Sequence, residues 1–306
     1  MSDRRVLLLR ALGLGDFLTG VPAYRAVKAA FPDREVVLAA PAALAPLAAR
    51  CDGIDRLLPT AELEPVAWSG KPPELAVDLH GNGPASHEIV AATGAERLVM
   101  FGDGGPRWDD DEHEVARWCR LLESAGIPAD PAALRLPIEP APGGPAVVVH
   151  PGAASGGRRW PPDRFAAVAR ALRAAGRVEV TGGPAERGLA EHVAAEAGLP
   201  ESAVRRTGLA ELAALIAAAR LVVCGDTGVA HLATACGTPS VTLFGPVSPA
   251  LWGPPDLPRH TVLWKGGDAG RPGDAHAAET DPRLLAITVP EVVDAAFALL
   301  PERQPT

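Results

Sequence analysis

Residues 221–246 have the sequence LVVCGDTGVAHLATACGTPSVTLFGP. The apolar run at 221–224 predicts a buried strand, residues 229–236 predict a helix, and residues 240–244 predict a second strand. Parallel strands need a crossover connection, and a helix of this length supplies one. The stretch therefore predicts a β-α-β unit with polar residues at the junction between its first strand and its helix.

The same alternation extends from this unit in the N-terminal direction. Short apolar runs predict strands at 6–9, 36–39, 56–58, 75–79, 97–101, 146–150 and 177–181. Amphipathic patterns predict helices at 17–30, 42–49, 112–124, 162–175, 185–197 and 210–219, and one after Pro84. Because parallel sheets are covered by crossover helices on both faces, we predict an α/β protein of two Rossmann-like parallel-sheet domains facing a cleft, the default ligand site of such folds.

The boundary between the two domains is predicted in a segment rich in proline. Residues 126–145 hold six prolines and three glycines with little periodicity, which is typical of a connection between domains. We assign residues 1–142 to the first domain and residues 143–285 to the second. The remaining residues, 286–306, carry a predicted helix at 290–300, which we expect to pack back on the first domain.

Composition excludes several classes of protein. The chain has 306 residues, of which 47% are hydrophobic and 22% charged, and a formal net charge of −8, which fits two globular domains and gives nucleic acid no basic surface. The four cysteines have no C-x-x-C spacing, so we expect neither a disulfide framework nor a structural zinc. Without a signal sequence or an apolar window long enough to span a bilayer, we expect a cytoplasmic protein with at most peripheral membrane contact.

The first candidate site residue is Asp16, which follows the first predicted strand in the sequence GLGD at 13–16. A dinucleotide turn is disfavoured, because the third glycine of G-x-G-x-x-G would fall at Leu18 and no acid follows the second strand. A carboxylate in this place is explained equally well as a helix cap or as a catalytic group that faces the cleft.

A loop of small residues follows the strand at 146–150, in the sequence HPGAASGGRRWP at 150–161. Small residues let backbone N–H groups approach an anion, and Arg158 or Arg159 offers bidentate contact to phosphate oxygens. Alternatively, both are solvated surface arginines. The loop lacks the G-K-[ST] ending of a Walker loop, which excludes ATP hydrolysis by that route.

A third strand end is followed by GGPAE at 182–186, at the start of a predicted helix. Glu186 either stabilises the N-terminus of that helix as a first-turn acid or accepts hydrogen bonds from the two hydroxyls of a ribose.

The densest cluster of polar residues lies in the opening stretch. Asp226 and Thr227 follow the strand at 221–224, and Gly228 permits close approach of a ligand. His231 lies one turn further along the same helix face. A carboxylate, a hydroxyl, backbone amides and an imidazole are thus expected around one ligand. A metal site at Asp226 and His231 is disfavoured, because no third ligand has suitable local spacing.

Together these motifs resemble glycosyltransferase family 9, the heptosyltransferases of the GT-B architecture. LGD and the proline at 22, PGA and RRWP in the loop, GGPAE, DTGVAHLA, and GTPSVTLFGP occur in the order of the family and cover nearly the whole chain. In such enzymes the N-terminal domain binds the acceptor and the C-terminal domain binds an ADP-sugar. The resemblance thus implies an acceptor-binding domain at 1–142 and a nucleotide-sugar-binding domain at 143–285.

The resemblance also implies roles for individual residues. Asp16 matches the catalytic base, Arg158 takes the place of the usual lysine at the diphosphate, and Glu186 matches a ribose contact. Arginine at 158 keeps the positive charge but changes the geometry of the contact. The expected donor-binding set is completed by Gly15, Gly152, Thr207, Leu209, Asp226, Thr227, Gly228 and His231.

The acidic run DDDE at 109–112 suggests the metal-binding D-x-D sequence of the other glycosyltransferase fold. It directly precedes an amphipathic helix, where carboxylates complement the N-terminal dipole, and we favour this second explanation. We therefore expect no metal and no cofactor, the ADP-sugar being a substrate.

The expected function is that of an inverting, metal-independent glycosyltransferase that moves a sugar, best assigned as heptose, from an ADP-sugar to an acceptor hydroxyl. Asp16 is expected to take the proton of that hydroxyl, while Arg158 and the amides at 227–229 carry the charge on the departing diphosphate. Two alternatives stay open: a non-catalytic sugar-nucleotide-binding protein, and a sugar-nucleotide epimerase of the same two-lobed shape.

The distribution of charge bears on the acceptor. Residues 1–140 carry 14 Lys and Arg against 21 Asp and Glu, a balance of −7 out of the net −8 of the whole chain. A surface that holds phosphorylated lipid cores is expected to gather cations. We therefore expect a neutral or cationic small-molecule or glycan acceptor, and no nucleic acid partner.

Overall fold

The computed structural model describes residues 4–102, 104–144, 146–267 and 273–300. The chain divides into two units, Met1–Pro137 and Ile138–Thr306, and each unit is built on its own sheet. The sequence analysis placed this division between residues 142 and 143. Residues 138–142 thus belong to the second unit.

The first unit is a sheet of five parallel strands with its crossover helices. The strands are β1 (Arg5–Leu9), β2 (Glu35–Ala40), β3 (Arg56–Pro59), β4 (Leu75–Asp78) and β5 (Leu98–Val99). The helices are α1 (Leu14–Thr19), α2 (Val21–Ala30), α3 (Ala45–Ala48), α4 (Ala85–Ala91) and α5 (Glu114–Ser124). The strand order is β3-β2-β1-β4-β5, with β1 in the centre.

The central position of β1 follows from its sequence, RVLLL, which is apolar on both faces. A strand that is covered on both faces has no solvent side, so it tolerates no alternation of polar residues. Leu8 pairs with Leu38 of β2 and with Val77 of β4, and all three side chains are fully buried. The residues that follow β1 therefore emerge in the middle of the carboxyl edge of the sheet.

The helix predicted at 17–30 is interrupted at Gly20, where α1 ends and α2 begins. A Cβ atom at Gly20 would lie 2.3 Å from the Tyr24 hydroxyl oxygen, so the buried Tyr24 ring requires glycine at this turn. The break makes α1 a short helix of its own, and α1 carries Asp16.

The second unit repeats the plan with six parallel strands. These are β6 (Val147–His150), β7 (Val178–Thr181), β8 (Val204–Arg205), β9 (Leu221–Gly225), β10 (Ser240–Leu243) and β11 (His260–Leu263). The helices are α6 (Pro162–Leu172), α7 (Arg187–Glu196), α8 (Leu209–Ala218), α9 (Gly228–Cys236), α10 (Pro249–Trp252), α11 (Pro282–Leu285) and α12 (Val289–Leu299). The strand order is β11-β10-β9-β6-β7-β8, so β9 and β6 are neighbours in the middle of the sheet.

The terminal helix α12 packs on α6, β10 and β9 of the second unit. Its buried residues Val292 and Ala296 join the core that Trp160 and Phe165 form with the sheet. Its apolar face is therefore covered by the second unit, where the sequence analysis expected it to be covered by the first domain. The helical spacing of apolar residues shows that a helix needs a cover, but it does not show which sheet provides the cover.

The alternating α/β plan with two parallel sheets is confirmed. The sequence analysis missed β8, which has two residues, and β11, whose sequence HTVL lies in a segment rich in proline and glycine. Both strands lie at sheet edges. Within the described part of the chain, no helix has the length and apolar character to cross a membrane.

Candidate functional site

Polar residues of the first unit gather at the carboxyl ends of the neighbouring strands β1 and β4. Arg10 follows β1 directly, and Asp16 lies in the first turn of α1. Asp78 is the last residue of β4, where it pairs in register with Leu9, and His80 follows two residues later. The parallel pairing of the two strands thus brings these groups to one edge of the sheet.

Asp16 presents a carboxylate that is partly open to solvent, with 29% of its side chain exposed. Its Oδ1 lies 3.7 Å from Nη2 of the wholly buried Arg10. Burial raises the pKa of Asp16 above its ordinary value, and the Arg10 charge and the backbone amides of Gly13 and Asp16 counteract only part of this rise. Asp16 is therefore a first-turn acid of α1 and also a stronger base than an exposed aspartate.

Asp78 and His80 form the second part of this edge. The His80 backbone N–H donates to Asp78 Oδ1 at 2.8 Å, and burial raises the pKa of Asp78. Burial also lowers the pKa of His80, which keeps its imidazole neutral near pH 7. The sequence analysis did not identify this pair, although Asp78 lies near the end of the strand predicted at 75–79 and His80 follows that strand directly.

In the second unit, β6 ends at the buried residue His150, whose Nδ1 lies 2.9 Å from Thr181 Oγ1 of β7. Its Nε2 lies 3.9 Å from Oε2 of Glu186. Burial lowers the pKa of His150, although the Glu186 charge opposes this shift. Two neighbouring strand ends thus place an imidazole beside a carboxylate.

The sequence left two roles open for Glu186, and the structure shows one of them. Its Oε2 accepts a hydrogen bond from the Gly183 backbone N–H at 2.9 Å, so it stabilises the 3₁₀ turn Pro184–Glu186. The same carboxylate lies against Gly152, where a Cβ atom would come within 2.3 Å of it. Gly152 therefore gives Glu186 room at the end of β6, whereas a ribose contact stays a prediction.

The loop between β6 and α6 is hydrogen-bonded to residues 275–280. The Gly157 N–H donates to Ala277 O at 2.7 Å, and the Thr280 hydroxyl donates to Arg159 O at 2.9 Å. Arg159 Nε donates to Ala153 O of the same loop at 3.0 Å. Arg159 therefore stabilises the loop, which leaves Arg158 as the arginine that points toward β9.

Arg158 meets the junction of β9 and α9. Its Nη1 lies 3.8 Å from Asp226 Oδ2, with 25% of the Arg158 side chain and 8% of the Asp226 side chain exposed. Burial raises the pKa of Asp226 to about 6, and the Arg158 charge offsets only part of the effect. Arg158 Nε is buried and makes no hydrogen bond to any described residue. The guanidinium thus has donor capacity that the protein itself does not satisfy.

The N-terminus of α9 lies next to this pair. Thr227 is the N-cap, and its Oγ1 accepts a hydrogen bond from the Val229 N–H at 3.3 Å. Gly228 begins the helix, and the partial positive charge at the N-terminus of the helix attracts anions. His231 stands one turn further, with its ring centroid 5.9 Å from that of Trp252. Thr227 thus fixes the start of α9 directly after Asp226.

A cavity of about 310 Å³ lies at the ends of β7 and β8. It is lined by Gly182, Gly183, Pro184, Arg187, Ala190, Val204, Arg205, Arg206 and Thr207. The GGP turn that precedes Glu186 thus forms one wall, and Thr207 forms part of the opposite wall. Leu209 is the first residue of α8, just after this wall.

The structure brings together most of the predicted residues of the second unit at the ends of β6, β7 and β9. Gly15 lies in the first unit, beside Asp16 in α1, and its part in a donor site stays a prediction. Sequence reasoning missed Arg10, which contacts Asp16 directly. Its position as a charged residue immediately after the apolar run VLLL could have identified it.

No group of three or more His, Cys, Asp or Glu side chains that could hold a metal occurs among residues 4–102, 104–144, 146–267 and 273–300. The carboxylates of the acidic run at 109–112 contact neighbouring side chains of the same segment. Asp110 accepts a hydrogen bond from Trp108 Nε1 at 2.8 Å, and Glu112 pairs with Arg120 at 2.7 Å. These carboxylates therefore stabilise the approach to α5.

The family model of glycosyltransferase family 9 (heptosyltransferase) matches residues 107–269, which is more than half of the chain. The chain belongs to glycosyltransferase family 9. The matched region holds β6 to β11 and therefore Arg158, Glu186 and the β9–α9 junction. The resemblance stated from the motifs is confirmed.

Several proteins similar to this family 9 chain are heptosyltransferases. Lipopolysaccharide heptosyltransferase 1 of Pseudomonas aeruginosa is 45% identical over 73 residues, which are 24% of this chain and 20% of that protein. Lipopolysaccharide heptosyltransferase 3 of Escherichia coli K12 is 30% identical over 168 residues, which are 52% and 48% of the two chains. The chain thus matches a fifth to about a half of the length of these relatives.

The solved structure of E. coli ADP-heptose lps heptosyltransferase II aligns with this family 9 chain with a TM-score of 0.77 and 21% identity. The alignment covers 96% of this chain and 98% of that one. At this level of identity the likeness concerns the fold, and it confirms the GT-B class with two parallel-sheet domains.

The buried Asp226 of this family 9 domain makes stability depend on pH. Its pKa is about 6 in the folded protein and near 3.8 when unfolded, so the unfolded state loses its proton first and stability falls as pH rises from about 4 to 6. Asp226→Asn should remove this loss and raise the melting temperature at pH 7.5 by a few degrees relative to wild type, with little difference at pH 3.5.

The measurement is thermal unfolding of both proteins across this pH range, with Asp256→Asn as a control on the surface of the same unit. A melting-temperature difference that does not change with pH would show that Asp226 titrates normally.

Proposed function

We propose that this member of family 9 is an inverting, metal-independent glycosyltransferase that moves heptose from an ADP-sugar to an acceptor hydroxyl. The observation that carries the proposal is the convergence of Arg158, Asp226 and the N-terminus of α9 in the matched region of the chain. The name of the E. coli structure, which specifies ADP-heptose, supports the choice of donor.

The diphosphate of the donor is assigned to Arg158 and the first turn of α9. Arg158 is an arginine whose side chain is a quarter exposed and whose only ion-pair partner within the described chain, Asp226, lies 3.8 Å away, so its guanidinium can donate to an anionic oxygen of a ligand. The α9 amides supply positive partial charge beside it. The cavity lined by the GGP turn and Thr207 is assigned to the nucleoside, with Glu186 at its ribose.

Asp16 is assigned the role of general base. Its carboxylate is partly exposed, and burial raises its pKa, so it is available to accept a proton from an acceptor hydroxyl. The hydroxyl oxygen attacks the anomeric carbon as the bond from that carbon to the diphosphate breaks, and ADP leaves from the opposite face, which inverts the anomeric configuration. Arg158 and the α9 amides stabilise the charge that develops on ADP.

The two alternatives differ from this proposal in what happens to the donor. A protein that only binds sugar nucleotides releases no ADP, and an epimerase returns an isomeric sugar nucleotide without an acceptor. ADP release from ADP-heptose that depends on an acceptor, followed by identification of the glycosylated product, supports transfer. Turnover without an acceptor contradicts it.

Asp16→Asn is expected to lower kcat about 10²- to 10⁴-fold, because a general base is lost, while the affinity for ADP stays unchanged. The measurement is steady-state ADP release combined with calorimetric titration of ADP. Asp52→Asn, which alters an exposed carboxylate of the same unit paired with Arg25, serves as the matched control and should keep full turnover. Retention of turnover in Asp16→Asn would leave Asp16 as a helix cap only.

Arg158→Ala is expected to weaken ADP binding about tenfold to a hundredfold, since a charge-assisted contact to phosphate is removed. Isothermal titration calorimetry measures the effect, and AMP distinguishes the diphosphate from the nucleoside. The control is Arg177→Ala, an exposed arginine at the start of β7. Equal ADP affinity in wild type and Arg158→Ala would place the diphosphate elsewhere.

Activity is expected to survive excess EDTA, because Arg158 and helix amides take the part that a divalent cation plays in other sugar-nucleotide sites. The measurement compares initial rates of ADP release with EDTA, with Mg²⁺ and with Mn²⁺. A rate that EDTA abolishes and either cation restores would contradict the metal-independent mechanism.

The acceptor is proposed to be a neutral or cationic small molecule or glycan. In the first unit many cations are already paired with its own carboxylates, namely Arg4, Arg10, Arg25, Lys28, Arg34, Arg56, Arg117 and Arg120. With a balance of −7 over residues 1–140, this unit has little positive charge to offer a polyanion.

We therefore expect a neutral glycoside or an aminocyclitol to be turned over faster than a phosphorylated lipopolysaccharide core with the same donor. The measurement is kcat/KM for each acceptor at low and at moderate ionic strength, since any electrostatic preference weakens with salt. A clear preference for the phosphorylated core would overturn this acceptor and match the substrate named for the curated relatives.

A further inference from the structure

Behind Asp16, helix α5 of the first unit contributes three side chains to a buried charged cluster. Glu114 Oε1 accepts hydrogen bonds from Arg10 Nη2 and from Trp118 Nε1, both at 2.8 Å. Glu114 Oε2 pairs with Arg117 Nη1, and Arg117 Nη2 donates to the backbone oxygens of Asp109 and Glu112 at 2.9 Å. Glu114 is thus held by three donors from both sides.

Arg10 is fixed in one orientation by this cluster. Its Nε donates to the backbone oxygen of Asp16, its Nη1 donates to Leu79 O, and its Nη2 donates to Thr19 Oγ1 at 3.0 Å. Its guanidinium also lies 4.8 Å from the ring centroid of Trp118. Because the side chain is wholly buried, its charge reaches Asp16 through protein and not through water.

Stability alone is a poor explanation for such a cluster. Buried ion pairs are costly to desolvate, and apolar side chains of similar volume stabilise a core equally well or better. Arg10 also contacts Asp16 at two places, the backbone oxygen and the carboxylate, while Thr19 Oγ1 donates to the same backbone oxygen at 2.9 Å. These contacts fix the direction of the one carboxylate of the cluster that is open to solvent.

We propose that Arg10 is a positioning residue for the Asp16 carboxylate and that Glu114 moderates the positive charge that Arg10 presents to it. The inference rests on the proposed role of Asp16 as the base. Arg10 and Glu114 then act on the proton affinity of Asp16 with opposite signs. Arg10 favours the ionised carboxylate, and Glu114 disfavours it.

Four groups from different elements face Asp16, and they are Arg10 after β1, Tyr24 of α2, His80 after β4 and Glu114 of α5. Burial raises the pKa of Tyr24 and lowers the pKa of His80, so both are neutral between pH 7 and 9. Burial also opposes ionisation of Glu114, but Arg10, Trp118 and Arg117 outweigh it and lower its pKa. Among the described residues, Arg10 and Glu114 are therefore the neighbours of Asp16 that stay charged both at neutral pH and on the acid side down to the pKa of Glu114.

The decisive experiment is the pH dependence of kcat in wild type, Glu114→Gln and Arg10→Gln. A base acts when deprotonated, so the acid limb of the profile reports the pKa of Asp16. Glu114→Gln removes a negative charge and should move this limb to lower pH. Arg10→Gln removes the positive charge and should move it to higher pH, each by roughly one unit or more.

Two further variants separate charge from geometry. Arg10→Lys keeps the charge but loses the planar fork, so it should lower kcat about tenfold or more while the limb moves little. It also keeps the proposal testable if Arg10→Gln does not fold. The matched control is Arg56→Gln, which breaks an exposed ion pair with Glu35 in the same unit and should leave the profile unchanged.

A second readout does not depend on activity. Titration of carboxyl carbons by NMR in protein labelled at aspartate, with the Asp16 signal identified by its loss in Asp16→Asn, gives the pKa of Asp16 directly. Shifts of opposite sign in Glu114→Gln and Arg10→Gln, with little shift in Arg10→Lys, support the proposal. Folded variants with an unchanged Asp16 titration, or with shifts of the same sign, overturn it and make the cluster a structural one.

The two proposals fail in different ways. If Asp16→Asn keeps its turnover while the NMR shifts have opposite signs, the coupling of Arg10 and Glu114 to Asp16 stands and the assignment of Asp16 as the base is wrong. If Asp16→Asn is inactive and the NMR titration of Asp16 is the same in all variants, the base assignment stands and the positioning role of Arg10 is wrong.

Discussion

Parallel pairing of strands is the constraint on which the rest of this chain depends. It sends every strand of a sheet in one direction, so each return needs a helix on a face and both faces are covered. The central strands are consequently apolar, β9 throughout and β1 from Val6 to Leu9. Polar chemistry is left to the residues that follow the last paired position, and Arg10 and Asp226 stand in such places. The location of the candidate site is thus a consequence of the sheet.

This constraint also explains how much the sequence could predict. Apolar runs identified most strands, and polar residues after those runs identified Asp16, Arg158 and Asp226 without knowledge of the strand order. β8 and β11 carry no comparable signal, because β8 consists of Val204 and Arg205 alone and β11 lies in a segment rich in proline and glycine, so their pairing shows only in the folded sheet. The unit on which α12 packs could not be predicted either, because its apolar spacing shows that one face is buried but not which sheet buries it.

The partners of site residues were harder to predict than the residues themselves. Glu114 lies 104 positions from Arg10 in the chain, and the sequence analysis gave it no role beyond its place in the helix predicted at 112–124. In the structure its side chain is buried and bonded to Arg10 and Trp118. Such a contact depends on how α5 is placed against the end of β1, which helical periodicity does not encode.

The two units pair an arginine with an aspartate at a strand end in nearly the same way, with N–O distances of 3.7 Å for Arg10 and Asp16 and 3.8 Å for Arg158 and Asp226. Burial raises the pKa of both carboxyl groups. The arginines differ in how their donors are used. Protein acceptors surround the buried Arg10, whereas Arg158 is a quarter exposed and its Nε is unpaired among the described residues. The donors of Arg10 are thus directed to protein atoms, whereas Arg158 keeps donor capacity for a ligand. The same pair of side chains therefore carries the proposed base in the first unit and the proposed anion site in the second.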